Sequence, residues 1–296
     1  RLIIIGLLYS ETYSLLLNSG CSPKFETIFL GVNELHLLPE FLTSETSMIF
    51  TESLTNPLCE VPDLERIGKL AKSKAVPFLV DNTLASPVNC QPINWGADYV
   101  IHSTTKYLSG KNDHAGGAIL VKNQENSNSL IEFQQNWGLM ISNLEAKILH
   151  KRLYNFEDRM QRFNTNNLVV AHFLEAHPAV ANVYYAFSQK NPASAISSKF
   201  LSGSGGVVSF VLKNDTEDNL RKFYDGEFKS ILKAPTLGSD KTLVCPYSML
   251  THYHDSDDQL KEINLPRHLI RIASGSEKKI EPIINDLKIA LERTSK

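Results

Sequence analysis

The first 121 residues alternate short apolar runs with amphipathic stretches. Residues 2–8, 47–51, 77–80, 98–101 and 118–121 are short and rich in Ile, Val, Phe or Tyr, which favours strands. Between them, 61–73 reads V-P-D-L-E-R-I-G-K-L-A-K-S and puts Leu64, Ile67, Leu70 and Ala71 at helical spacing. Pro62 near the start, with acids before bases, suits a helix there. The strand–helix–strand alternation predicts an α/β domain on a mainly parallel sheet. Several predicted strands end in groups able to meet a ligand: Thr51-Glu52, Asp81-Asn82 and His102-Ser103. Ligands of open α/β sheets sit at the carboxyl ends of strands, so a site is expected there.

After about residue 140 the texture changes. Residues 143–177 lack proline until His177-Pro178 and keep long helical spacing through Leu144, Ile148, Leu153, Met160, Phe163 and Leu168. They predict one or two long helices linking two halves. Residues 183–185, 206–212 and 268–273 predict strands, and 280–294 a closing amphipathic helix. The chain divides on this reading into a large domain over 1–145 and a smaller α+β domain over 146–296. Gly203-Ser204-Gly205-Gly206 predicts a turn feeding a strand, not a phosphate loop.

Composition narrows the picture. A hydrophobic fraction of 42%, a charged fraction of 21% and a net charge of -2 describe a soluble globular protein without a polyelectrolyte face. Nucleic acid and anionic membranes are therefore not expected partners. The apolar opening is too short to span a bilayer and carries no signal cleavage site. Cys21, Cys59, Cys90 and Cys245 lie far apart and predict reduced thiols in a cytoplasmic protein. The chain opens without methionine in a strand-like run, so it is expected to start inside a longer domain.

The densest chemistry lies in residues 80–117: V-D-N-T-L-A-S-P, then G-A-D-Y-V-I-H-S-T-T-K-Y-L-S-G and K-N-D-H-A-G-G. Lys106 falls just past a predicted strand, behind the hydroxyls of Ser103, Thr104 and Thr105. A desolvated amine loses its proton more readily and becomes a nucleophile for an aldehyde, and hydroxyls suit a phosphate. The same residues also suit an exposed lysine in a hydroxyl-rich loop. Asp81 closes an apolar run, where a carboxylate needs a partner. A protonated pyridine nitrogen would serve, and so would a turn or helix cap.

V-D-N-T, S-T-T-K and H-A-G-G resemble the signature of the Cys/Met-metabolism pyridoxal-phosphate family, which includes cystathionine gamma-synthase, cystathionine lyases and O-acylhomoserine sulfhydrylases. The resemblance extends over nearly the whole chain. It takes in Leu8-Tyr9-Ser10-Glu11-Thr12-Tyr13, the box Glu52-Ser53-Leu54-Thr55-Asn56-Pro57, Thr236-Leu237-Gly238 and Arg271-Ile272-Ala273-Ser274-Gly275. It implies a fold type I pyridoxal-phosphate transferase-like architecture, incomplete at its N-terminus, with pyridoxal 5'-phosphate as cofactor. Lys106 would carry the cofactor as a Schiff base and shuttle protons. Asp81 would pair with the ring nitrogen, Ser103 and Thr105 would hold the phosphate, and Tyr9 would stack on the ring and act as a catalytic base near the substrate amine. Asn56 would sit near the ring hydroxyl and the substrate carboxylate, Arg271 would grip that carboxylate, and Thr236 would line the substrate side. Taken alone, an arginine in a strand pattern more often makes a structural ion pair.

The sequence also departs from the family. The glycine-bearing phosphate loop and the tyrosine–arginine pair lent to a neighbouring subunit are not present. The family's Ser-Leu-Gly-x-x-Glu becomes Thr236-Leu237-Gly238-Ser239-Asp240-Lys241, reversing a charge near the expected substrate end, and Leu54 replaces the box proline. His252-x-His254 with Asp255, Asp257 and Asp258 matches no closed zinc pattern, so no metal is predicted. Asp113-His114 reads as a loop pair bordering the site, since no nucleophile box accompanies it.

Within the family the wording leans toward cystathionine gamma-synthase, which condenses an activated homoserine ester with cysteine. A lyase, a sulfhydrylase, and a truncated or non-catalytic paralogue are the alternatives. A nicotinamide protein is disfavoured, because no G-x-G-x-x-G follows the first strand. The resemblance further implies amino-acid substrates and a dimer of dimers with shared active sites.

Overall fold

The computed structural model describes residues 1–18, 26–190 and 194–294. Two sheets organise them. The first has the order β2-β1-β3-β4-β5-β6, from β1 (Leu2–Ile5), β2 (Thr27–Leu30), β3 (Met48–Glu52), β4 (Phe78–Asp81), β5 (Tyr99–Ser103) and β6 (Gly117–Val121). Its first five strands pair in parallel and β6 is antiparallel to β5. The second sheet runs β7-β8-β11-β10-β9, from β7 (Val180–Tyr184), β8 (Val207–Leu212), β9 (Leu232–Lys233), β10 (Leu243–Pro246) and β11 (Ile270–Ala273). It is antiparallel except for the β9–β10 pair.

The run predicted over 2–8 stops as a strand at Ile5. Gly6 takes φ +76°, and a Cβ there would meet the methyls of Val32 and Thr55 at 3.0 and 3.1 Å, so the chain turns away. β1 reads as unbroken Leu-Ile-Ile-Ile because both of its faces are covered. Ile3 and Ile5 join a core with Ile49, Phe78 and Val80, while Leu2 and Ile4 face Leu8 and Phe50. Each such side chain contributes about 1.5–3 kcal/mol on burial.

The helix predicted over 61–73 spans Leu64–Ser73. Asp63 caps it by accepting from the Arg66 N–H at 3.0 Å. Gly68 lets it lie against the 92–95 turn, since a Cβ there would come within 2.1 Å of the Trp95 carbonyl. The long stretch after 140 is two helices, Asn143–Leu153 and Phe156–Ala176. Arg159 occupies the break: its Nη1 donates to the Arg152 carbonyl at 3.0 Å and to Asn155 Oδ1 at 2.7 Å. Phe156, Met160 and Phe163 then enter the first core beside Val207, Leu243 and Ala273, so that core draws on both sides of residue 145.

Cys59, Cys90 and Cys245 are free and buried; Cys21 lies outside the described residues. Among the described residues no helix is long and apolar enough to cross a membrane.

Candidate active site

Three neighbouring parallel strands end in polar groups. In register, Glu52 on β3 lies beside Asp81 on β4, and Asp81 lies beside Ile101 on β5. Asp81 sits where the backbone leaves the sheet, and its Oδ1 accepts from the Thr83 N–H at 2.9 Å. Thr83 Oγ1 in turn accepts from the Ser103 N–H at 2.8 Å, which ties the Asp81 end to the Ser103 end. Burial pushes the Asp81 carboxyl above its ordinary pKa, against two stabilising contacts from Thr83. Among the described residues no cation pairs with it.

Past Ser103 the chain enters a wide helical turn, Thr104–Leu108, with Lys106 at φ -84°, ψ -124° inside it. The three hydroxyls separate here. Thr104 is buried and its Oγ1 lies 2.9 Å from His114 Nε2. Thr105 Oγ1 accepts from the Gly116 N–H at 3.2 Å, which leaves its own proton to donate. The Ser103 hydroxyl has no hydrogen bond among the described residues.

Lys106 Nζ donates to Thr236 Oγ1 at 2.9 Å, bridging 130 residues of sequence. Its pKa is lowered, first by burial and then by the charge of Arg271. The loop that brings Thr236 approaches closely because Gly238, at φ +78°, carries no side chain. A Cβ there would lie 2.7–2.9 Å from backbone atoms of Lys106 and Tyr107. Tyr107 is buried against Phe163, and its hydroxyl accepts from the Gly206 N–H at 2.9 Å, locking the turn to the second half.

Arg271 comes from the middle of β11 and is only 3% exposed. Nη1 donates to Asn56 Oδ1 at 3.1 Å, and Nη2 donates to the carbonyls of Pro235 and Thr236. Its guanidinium lies 5.0 Å from the Tyr247 ring centroid, and the Tyr247 hydroxyl accepts from Asn56 Nδ2 at 3.2 Å. The Nε–H finds no partner among the described residues. Among the described residues no acidic side chain pairs with Arg271, so the structural ion pair expected of a strand arginine is not formed there.

Tyr9 precedes the helix Ser10–Asn18 and is 47% exposed. Its N–H donates to Glu52 Oε1 at 2.7 Å, while Glu52 Oε2 accepts from the Asn56 N–H at 3.2 Å. Glu52 thus fixes two predicted site residues at once. Its carboxyl is pushed well above the usual range by burial and then by the charge of Asp81, against those two N–H groups. The sequence reading marked Glu52 as a strand end and as part of the Glu52–Pro57 box without giving it a role, and it gave no role to Thr83 or Tyr247. The D-N-T spacing was a usable signal for Thr83, since an Asp often accepts from the amide two residues on. Nothing marked Tyr247.

The remaining candidates resolve into structure. Asp113 pairs with Arg152 while His114 turns to Thr104, so they make no dyad. His252 pairs with Asp255, Arg267 with Asp257 and Lys261 with Asp258, and no metal-holding group occurs among the described residues. Lys241 is exposed and lines a cavity with Arg159 and Arg162.

A partly desolvated amine, a buried carboxylate without a cation, and hydroxyls able to donate at a strand end are three separate chemistries. An aldehyde, a protonated ring nitrogen and a phosphate on one molecule answer all three, so the residues fit pyridoxal phosphate. With a mainly parallel sheet beneath them, they define an α/β fold with a candidate pyridoxal-phosphate site. The chain belongs to the Cys/Met metabolism PLP-dependent enzyme family, whose model matches residues 1–292. It is 34% identical over 260 residues to a cystathionine gamma-synthase of Mycobacterium leprae, a match covering 88% of this chain and 66% of the relative. It is 33% identical over 249 residues to a cystathionine beta-lyase of Lactococcus lactis subsp. cremoris, covering 84% and 64%. The matched stretch therefore spans just under two thirds of these relatives. Among solved structures, cystathionine gamma synthase from Xanthomonas oryzae pv. oryzae in complex with cystathionine superposes with a TM-score of 0.93 at 27% identity, over 99% of this chain and 75% of that one.

Proposed function

We propose that the protein is a trans-sulfuration enzyme that condenses an activated homoserine ester with cysteine to give cystathionine. The observation that carries this reading is the Lys106 amine, held by Thr236 and depressed in pKa by burial and by Arg271. A lysine poised in that way both bonds an aldehyde and exchanges protons.

When bound, pyridoxal phosphate supplies the electron sink that makes the substrate's Cα–H acidic. The chain's own residues do the rest. Lys106 Nζ would hold the cofactor, take the Cα proton and move protons at Cβ. Asp81 would accept the ring N–H, and the Ser103 and Thr105 hydroxyls would donate to the phosphate. Tyr9 would pack on the ring. Arg271 Nε–H takes the substrate carboxylate, with Asn56 and Thr236 orienting the guanidinium through the contacts described above.

A second reading, cleavage of cystathionine, is favoured by the match to the lactococcal beta-lyase. Incubating the purified, cofactor-loaded protein with O-acylhomoserine and cysteine, and separately with cystathionine, tests both. Cystathionine as product supports the synthase; pyruvate released from cystathionine without synthesis replaces it with a lyase. Preference for sulfide over cysteine indicates a sulfhydrylase, and no visible cofactor band with no product indicates a non-catalytic paralogue.

Self-association and a cytoplasmic setting complete the proposal. Ile131, Phe133, Trp137, Leu139, Met140 and Leu144 are all exposed in one short stretch, an apolar surface suited to a second copy. The buried free thiols suit a reducing compartment.

A further inference from the structure

One cavity belongs to no part of the site above. It measures about 760 Å³ and is lined by seven basic side chains and two acidic ones. None of Lys106, Asp81, Ser103, Thr105 or Arg271 borders it. For a chain of net charge -2, this is a strong local excess of positive charge.

The cations are not neutralised by the fold. Arg152 pairs with Asp113, but Lys111, Lys151, Arg159, Arg162, Lys241 and Lys278 have no ion pair among the described residues. Of the two acids, Glu277 has one oxygen committed to the Thr242 N–H. Among its lining residues, Arg159 is only 7% exposed, and among the described residues neither its Nε nor that of Arg162 has an acceptor. The Arg159 pKa is lowered by burial and then by the charges of Arg162 and Arg152, a sign of crowding between like charges. Concentrated cations without partners lower their energy most by binding a multivalent anion. The volume is that of a small-molecule site. Lys241, the charge reversal in the sequence, adds to this cavity.

We infer that this cavity binds a small molecule carrying several phosphate groups, at a site separate from the cofactor. Arg159 connects it to the lysine turn: Nη2 donates to the carbonyls of Tyr107 at 3.0 Å and Leu108 at 2.8 Å, the two residues after Lys106. The Gly110 N–H, at the cavity wall, donates to the Lys106 carbonyl at 2.8 Å. The inference does not depend on which trans-sulfuration reaction the protein performs.

Calorimetric titration of the cofactor-loaded protein with inorganic tripolyphosphate tests it, because the cofactor's own phosphate site is then filled. One equivalent should bind at least about tenfold tighter than sulfate, and added salt should weaken it. Lys241→Glu and, separately, the double variant Arg162→Gln/Lys278→Gln should each weaken binding about tenfold while cofactor absorbance stays unchanged. A nucleoside triphosphate binding tighter than tripolyphosphate supports the site and makes its occupant a nucleotide; equal binding supports a site that reads phosphates alone. Equal affinity for sulfate and tripolyphosphate, or variants that bind like the parent, overturns the inference. So does a hexaglutamate peptide that binds tighter than tripolyphosphate, because the surface would then serve an acidic protein segment.

Discussion

The two sheets place polar groups in opposite ways. In the first, Glu52, Asp81 and Ser103 stand where strands stop, each at the last residue of its strand. In the second, Arg271 stands inside a strand whose four residues are all buried, flanked by Ile270 and Ile272. A strand end needs little support, because the backbone there already turns toward a cleft. A mid-strand guanidinium must be satisfied almost completely, and Asn56, Pro235, Thr236 and the Tyr247 ring do that. The first sheet therefore supplies groups with spare capacity, and the second supplies one cation whose direction is fixed on several sides.

Substitutions sharpen that contrast. Lys106→Ala should lower turnover by about 10³-fold or more, because it removes the proton carrier. Asp81→Ala comes next, with a loss near 3 kcal/mol, or about a hundredfold in kcat, for a buried charge partner removed. Arg271→Lys should raise KM by roughly 10- to 100-fold while changing kcat less, since an ammonium cannot both hold the Asn56 and loop contacts and offer the Nε–H to the carboxylate. Steady-state kinetics on the three variants checks all of this. An Arg271→Lys variant that loses kcat and keeps KM would erase the proposed division between the sheets.

A smaller effect belongs to stability. Burial pushes the His102 imidazole down to about 4 from an ordinary value of 6.5. As pH falls through that window, the unfolded chain takes the proton first, so the folded state loses stability; it is full above about 6.5. The loss is on the order of 3 kcal/mol by about pH 4. The raised carboxyls of Asp81 and Glu52 act in the opposite sense, since the fold binds their protons more readily, and they offset part of it. Urea midpoints between pH 7 and 4 should fall less for His102→Gln than for the parent.

Much of the first sheet was legible because its strands are short apolar runs ending in distinctive residues. β2, β9 and β10 were not foreseen. Thr27–Leu30 is a bare four-residue run, and Leu243–Pro246 ends in Cys and Pro, neither a strand signal. Lys106 and Asp81 could be singled out by chemistry and sequence context. Arg271, Asn56, Tyr9 and Thr236 came from the resemblance, because their neighbours in space lie as many as 215 residues away. Glu52 was seen but not understood: its work is to hold the amides of Tyr9 and Asn56, and such contacts leave no pattern in sequence.

The account rests on one amine. Borohydride reduction of the cofactor-loaded protein, followed by digestion and mass spectrometry, reads it directly. The pyridoxyl-phosphate mass is predicted on the peptide containing Lys106, and a Lys106→Ala variant should show no labelled lysine. The same mass on any other lysine, or turnover that persists with Lys106 unlabelled, would contradict it.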